Sequence, residues 1–310
     1  MTAKMEIATT PWNLKAPHDL DALCEQAVIA QDMGIHSFWL PENHFRADYC
    51  VPAPSLLLAA IAARTSIIGL GCVSYLLPIR NPLLAAEEIA VLDHLCGGRL
   101  ILGLGRGLQP EMFEAFGINS GDKRELFYST LAAMRKAWAG EPVAHTSGGK
   151  AVKLSPLPLQ QPSPPLWAAA MGPKALRQIA ELGLPYLASP LEPFARLQEN
   201  YANYRRILAQ AELAPVATAP VMRSVFICDR DQQAEAVKAA LIKLLPASWR
   251  ASAEPVDHWA IVGTPGFVEE KLGRYREELG VTHIIVRSGL PGVEVEDELR
   301  SLEHLLTLAP

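Results

Sequence analysis

The chain has 310 residues, half of them apolar and a fifth charged, with a formal net charge of −5. That balance is ordinary for a globular protein and offers no basic stripe to a nucleic-acid backbone. Five scattered cysteines (Cys24, Cys50, Cys72, Cys96, Cys228) form no Cys-x-x-Cys pair, which argues against a disulfide framework and a zinc site, so no metal is expected.

The stretch 1–7 carries Lys4 and Glu6 and lacks the apolar run of a secretory leader. Met5–Thr9 reads as a strand and His18–Met33 as a helix, with Leu20, Leu23, Ala27 and Ala30 on one face and Gly34 ending it. His36–Leu40 is a second strand and Ala53–Ala63 a helix. The apolar region 51–79 is cut by Arg64 and Thr65 into pieces too short to span a bilayer. It therefore reads as core, no membrane partner is expected, and the cytoplasm is the expected location. Ser66–Ser74 is a buried strand, Pro82–Leu95 a helix with proline at its start, and Arg99–Leu104 a fourth strand. Lys123–Ala139 is helical, and the Gly- and Pro-rich run 140–165 reads as an inserted hairpin plus an extended segment.

Beyond the insertion, Leu166–Ala170, Pro185–Ala188, Ala219–Cys228 and Val281–Arg287 read as strands. Pro173–Leu182, Phe194–Ala211, Gln232–Leu245, Thr264–Leu279 and Val295–Leu308 read as helices. About eight strands, each without polar alternation, alternate with helices, which implies a parallel sheet covered on both faces. A doubly wound sheet and a barrel share that rhythm, so the choice falls to motifs.

Three segments carry chemistry. The first, Trp39-Leu40-Pro41-Glu42-Asn43-His44-Phe45, follows the second strand, where a parallel barrel builds its active-site mouth. A plain strand-end cap would use the same Glu42 and His44. The second, Gly71-Cys72-Val73-Ser74-Tyr75-Leu76-Leu77-Pro78, leaves the third strand. In the third, Gly97-Gly98-Arg99 leads to Gly105-Arg106-Gly107, whose glycines make room for a ligand while Arg106 offers a fork to a phosphate.

Together these segments resemble the bacterial luciferase-like monooxygenase family. The likeness rests on Glu42 and His44, Leu77-Pro78, Ala86-Glu87-Glu88 with Leu92-Asp93, Gly97-Gly98-Arg99 and Gly105-Arg106-Gly107. Leu166-Trp167-Ala168-Ala169-Ala170 and Val262-Gly263-Thr264-Pro265 extend it over nearly the whole chain. The resemblance implies a single (β/α)₈ TIM barrel over residues 1–310, with an insertion around 140–165, often paired as a homodimer.

It also implies reduced FMN, supplied by a separate flavin reductase, and dioxygen acting on a small, largely apolar substrate. Arg106, with Gly105 beside it, takes the phosphate in this reading. The Met171-Gly172-Pro173-Lys174-Ala175 turn adds helix N-terminal amides and the Lys174 charge. Relatives often carry hydroxyl residues in this turn, and this chain has none. A non-proline cis peptide under the flavin would fall at Val73–Ser74. Trp12, Phe45 and Tyr75 are expected in the substrate pocket, with Met171 nearby.

A second departure concerns the catalytic base. Relatives usually carry two adjacent histidines after the glutamate, the first acting as base, but here that position is Asn43. A neutral amide takes no proton near neutrality, so His44 is the titratable candidate and Asn43 a hydrogen-bonding one. A deazaflavin coenzyme supporting hydride transfer fits the same barrel, and a non-catalytic flavin-binding relative is the third reading. A nicotinamide dehydrogenase fits poorly, since Gly103-x-Gly105-x-Gly107 lacks the G-x-G-x-x-G spacing. No G-x-S-x-G elbow or H-E-x-x-H motif appears.

Overall fold

The computed structural model describes residues 4–14, 19–45, 50–245, 250 and 254–309. The expected start of the first helix at His18 lies outside them. Eight strands form one sheet: β1 (Glu6–Thr9), β2 (Ser37–Leu40), β3 (Gly69–Leu76), β4 (Leu100–Gly105), β7 (Leu166–Ala169), β8 (Tyr186–Leu187), β9 (Pro220–Arg223) and β12 (His283–Val286). Their order is β8-β7-β4-β3-β2-β1-β12-β9. A parallel bridge between Ala188 and Val221 joins the two ends of that order. This is the strand order of the expected (β/α)₈ barrel, and the helices alternate with the strands as the sequence rhythm requires.

By their contacts the residues fall into two compact units, one of 1–14, 29–39 and 170–310, the other of 15–28 and 40–169. In the second unit, α2 (Pro54–Ala62) and α3 (Pro82–Leu95) both begin with proline. The Asn81 side chain caps α3, accepting from Leu83 and Leu84 amides at 3.0 and 3.2 Å. The strand expected from Ser66 starts only at Gly69. Arg99 explains the delay by donating to Cys96 O (2.7 Å), Thr65 Oγ1 (3.0 Å), Ile68 O (2.8 Å) and Thr65 O (3.1 Å). Residues 65–68 are thereby held as a loop, with Ile67 turned to solvent.

A short helix, α4 (Pro110–Ala115), precedes α5 (Lys123–Trp138) and was too brief for periodicity to reveal. The insertion contains the expected hairpin, β5 (Ala144–His145) against β6 (Ala151–Val152). Its extended part is pinned where buried Asp93 accepts from the backbone and side-chain amides of Gln160, both at 2.7 Å.

In the first unit, β12 pairs in parallel with β1 and with β9. The single strand expected over Ala219–Cys228 is in fact two. After Arg223 the chain leaves β9, and β10 (Val225–Ile227) pairs instead with β11 (Ile261–Gly263), which the sequence analysis missed. Phe226 and Val262 pack there with Val237 and Leu241 of α8 (Asp231–Leu244) in a separate apolar cluster. Both halves of the apolar run are buried, and only the polar pair Arg223-Ser224 between them marks the change of partner. Helices α6 (Pro173–Glu181), α7 (Phe194–Gln210), α9 (Pro265–Arg274, followed by a π-turn to Leu279) and α10 (Val295–Leu308) lie within two residues of their expected bounds.

Candidate active site

In the second unit, the segment after β2 meets the turn after β3. Glu42, whose side chain is fully buried, accepts from His44 Nε2 at 2.9 Å and from the Leu76 backbone amide at 2.9 Å. The guanidinium of Arg80 lies 2.9 Å from the same Glu42 Oε1 and donates to Leu76 O at 2.7 Å. It also stacks 3.5 Å above the Tyr75 ring. One carboxylate thus ties together an imidazole, a guanidinium and a strand end.

His44 is buried, its ring 5.1 Å from Phe116 in an edge-on contact, and exposed Phe45 leans on the same Phe116 at 5.5 Å. Phe45 holds φ of 55°, a left-handed conformation rare for an aromatic residue. Asn43 has a different task. Its Oδ1 accepts from Val51 N at 2.8 Å and its backbone amide donates to Val51 O. Tyr75 is buried, its pKa pushed up by desolvation, and its hydroxyl lacks a hydrogen-bond partner. The ring faces Arg80 rather than solvent.

The Val73–Ser74 peptide is cis, at the bond the resemblance indicated. Beside it, a Cβ on Gly105 would come within 2.6 Å of Ser74 Cβ, so only glycine permits this approach of β4 to β3. Arg106 is half-buried. Burial, and then the neighbouring charge of Arg124 on α5, lower its pKa from the ordinary value. Two guanidinium groups on adjoining elements, one half-buried, suit a multiply charged anion.

Four of the residues expected at the site lie in the first unit. Trp12 is buried, edge-on to Phe38 at 6.5 Å. Met171 and Gly172 are exposed in the turn before α6 and Lys174 is exposed in its first turn; the N-terminus of α6 has no side-chain cap. Met171 and Gly172 line a cavity of about 470 Å³, with Leu176, Glu192, Asn200 and Ile207 among its other walls.

Behind that cavity, Glu192 accepts from Tyr186 Oη, Asn200 Nδ2 and Ser189 N at 2.8–2.9 Å, and burial raises its pKa. Fully buried Arg223 donates to Tyr275 Oη (2.7 Å), Ser189 O (2.5 Å), Met222 O (2.8 Å) and Glu192 O (2.9 Å). The loop between β8 and α7 is therefore fixed by polar groups whose needs are met internally.

After β12, Glu298 of α10 accepts from Gly289 N at 2.7 Å and Leu290 N at 3.4 Å. Ser288 in turn bonds Thr9 and Thr10 at the end of β1.

The sequence reading missed Arg80, Phe116, Arg124, Arg223 and Glu298. Arg80 had a visible signal, a cation between two prolines in an apolar stretch; the others are ordinary helix or strand residues until folded. Among the described residues no cluster of metal-ligating side chains occurs, and no helix is long and apolar enough to cross a membrane.

A family model for luciferase-like monooxygenases matches residues 5–283. The oxygenase component of the flavin-dependent trigonelline monooxygenase of Acinetobacter baylyi is 25% identical over 223 residues, 69% of this chain and 61% of its own length. The matches to the first curated relatives span only 44–61% of those proteins' length. Monooxygenase RslO1 from Streptomyces bottropensis superposes with a TM-score of 0.81 at 25% identity, over 98% of this chain and 99% of its own. The FMN-bound oxygenating constituent of 3,6-diketocamphane monooxygenase from Pseudomonas putida shares the fold, with a TM-score of 0.81 at 22% identity over 97% and 96% of the two chains.

Proposed function

The chain belongs to the luciferase-like monooxygenase family, and on that membership we propose that it is a flavin-dependent monooxygenase using reduced FMN and dioxygen on a small, largely apolar organic substrate. The observation that carries the cofactor choice is the half-buried Arg106 with the Arg124 charge beside it, a pair matched to a phosphate dianion. In this reading Arg106 and Arg124 of the second unit would hold the phosphate; in the first unit, Lys174 and the uncapped N-terminus of α6 offer hydrogen-bond donors to an anion. Val73, Ser74 and Gly105, packed closely where β4 approaches β3, would hold the ring system. Bound reduced flavin supplies the electrons that activate dioxygen.

His44 is the group that accepts or holds a proton, because Asn43 Oδ1 is committed to the Val51 amide. Phe45 and Phe116 keep water from His44. Trp12 and Met171 remain proposed pocket residues, and Tyr75 would contribute only through Arg80. The name of the trigonelline relative, an oxygenase component, supports a separate reductase. Residues 1–310 are taken as one catalytic domain. The five free thiols suit a reducing compartment such as the cytoplasm.

An anaerobic titration with reduced FMN tests the reading. Micromolar binding is expected, weakened at least tenfold (about 1.4 kcal/mol) by Arg106→Ala. Preference for a reduced deazaflavin would shift the activity to hydride transfer, and binding of neither would overturn the chemistry.

The surface supports a homodimer as well. Helix α2 has no charged residue, yet Leu56 is exposed on it. Leu84, Val91 and Leu95 are exposed on α3, which α2 contacts. Exposed apolar side chains at positions 84, 91 and 95 share one face of α3, a stripe of the kind that protein–protein contacts cover. Sedimentation should show a dimer for the native chain and a monomer for the pair Leu56→Glu and Leu84→Glu; a monomeric native protein would sink this proposal.

A further inference from the structure

We infer that Arg80 is a positioning residue for His44, acting through Glu42: it fixes the shared carboxylate in place, so that the imidazole is locked with its proton on Nε2 and Nδ1 left as the proton acceptor. The inference rests on the proposed role of His44 and extends it to a residue that touches neither substrate nor cofactor.

The argument begins with the carboxylate. Glu42 is withdrawn from water, and a buried carboxylate persists as an ion only when its lone pairs are matched by donors and a cation. Three donors converge on it: His44 Nε2 and Arg80 on Oε1, and the Leu76 amide on Oε2, each at 2.9 Å. Of these, only Arg80 carries a permanent charge. Among the described residues, the other titratable or charged groups coupled to this site are Cys72 and Tyr75 of β3, with Glu88 of α3 behind them. None of them is a cation, and Phe45 and Phe116 beside His44 are neutral.

Arg80 is itself held on three sides, by Glu42, by the Leu76 carbonyl and by the Tyr75 ring. Its guanidinium therefore has little freedom to leave the carboxylate. An ionised carboxylate only accepts, so His44 must donate to it from Nε2, and in the neutral ring Nδ1 then carries the lone pair. Without Arg80, Glu42 Oε1 would lose one of its two donors, and the carboxylate would be free to turn away from Nε2 and release the ring. The tautomer would then be mixed. Asn43 cannot stand in, since its oxygen already serves the loop.

The test reads the tautomer directly. Imidazole ¹⁵N spectra of histidine-labelled protein are recorded at about pH 8 without cofactor, and the His44 signal among the eight histidines is assigned with His44→Gln. The native protein and Arg80→Lys are expected to show one tautomer, protonated at Nε2. A folded Arg80→Gln protein should show a mixture with at least a fifth of the Nδ1-protonated form. A native His44 protonated at Nδ1 would overturn the proposal, and so would an Arg80→Gln protein with the native pattern. Should Arg80→Gln not fold, the native spectrum and Arg80→Lys still decide, because a mixed tautomer in either contradicts the locking role. No flavin is present, so failure here leaves the cofactor reading intact, while failure of the Arg106 titration leaves this result standing.

Discussion

Arg223→Met should cost about 3–5 kcal/mol of folding free energy, the range for stripping one partner from a buried charged network. Methionine fills much of the aliphatic volume but donates nothing. Carbonyls of Ser189, Met222 and Glu192 and the Tyr275 hydroxyl would each lose the donor seen at 2.5–2.9 Å. Each buried acceptor left unmatched costs about 1–3 kcal/mol. Glu192, already pushed toward its neutral form by burial, would also lose the opposing Arg223 charge. Arg64, by contrast, pairs with Asp21 at 2.9 Å with both side chains more than half exposed, and Arg64→Ala should change stability by no more than about 0.5 kcal/mol. Urea unfolding of both variants makes the comparison. A loss below about 1 kcal/mol for Arg223→Met would mean that burying the guanidinium costs nearly as much as its bonds return.

The fold was readable where backbone chemistry punctuates the chain. Proline at the first position of α3 and α6, and Gly280 in a left-handed conformation after the π-turn, mark boundaries that the structure keeps. Strand partners were not readable. The run from Pro220 to Ile227 is apolar except for Arg223-Ser224, where the partner changes, and a residue buried between β9 and β12 looks like one buried between β10 and β11. The start of β3 failed for a related reason: Ile67 and Ile68 read as strand, but the carbonyls of Thr65 and Ile68 are claimed by Arg99 from another element.

The site divides along the same line. Glu42 and His44 are two residues apart, so their pairing was visible as a local motif, whereas Arg80 reaches Glu42 across a separation of 38 positions. Tyr75 shows how alternation misleads. The register of β3 against β4 steps from Val73–Gly103 to Tyr75–Leu104, skipping Ser74. After such an irregularity the period-two rule no longer assigns faces, and Tyr75 lies against Arg80 in the interior. Arg106 was found because glycines flank it; Arg124, near the start of an amphipathic helix, carries no such flag.

Glu298 yields the second large effect, a stability that falls as pH rises. Burial lifts its pKa from 4.5 to about 7, against the pull of the Gly289 and Leu290 amides that hydrogen-bond the carboxylate. A value raised on folding means that the native state binds the proton more tightly than the unfolded chain. The stabilisation is therefore complete below the unfolded value of 4.5 and is lost as pH passes through about 7. At about 1.4 kcal/mol per unit, the loss approaches ~3 kcal/mol between pH 4.5 and 8. Glu298→Gln removes the titration while keeping an oxygen for both amides. Relative to the native chain, it should gain up to about 3 kcal/mol at pH 8 and almost nothing at pH 4.5 in urea unfolding. Parallel curves across that range would show that the carboxylate is solvated well enough to ionise without penalty. The loop it holds, Ser288–Leu290, follows β12 and is bonded to Thr9 and Thr10 at the end of β1. Loops at those strand ends build the working face of a barrel, so the protection of the Gly289 and Leu290 amides, their exchange rate relative to the intrinsic rate at each pH, should fall above pH 7 in the native chain and stay level in Glu298→Gln.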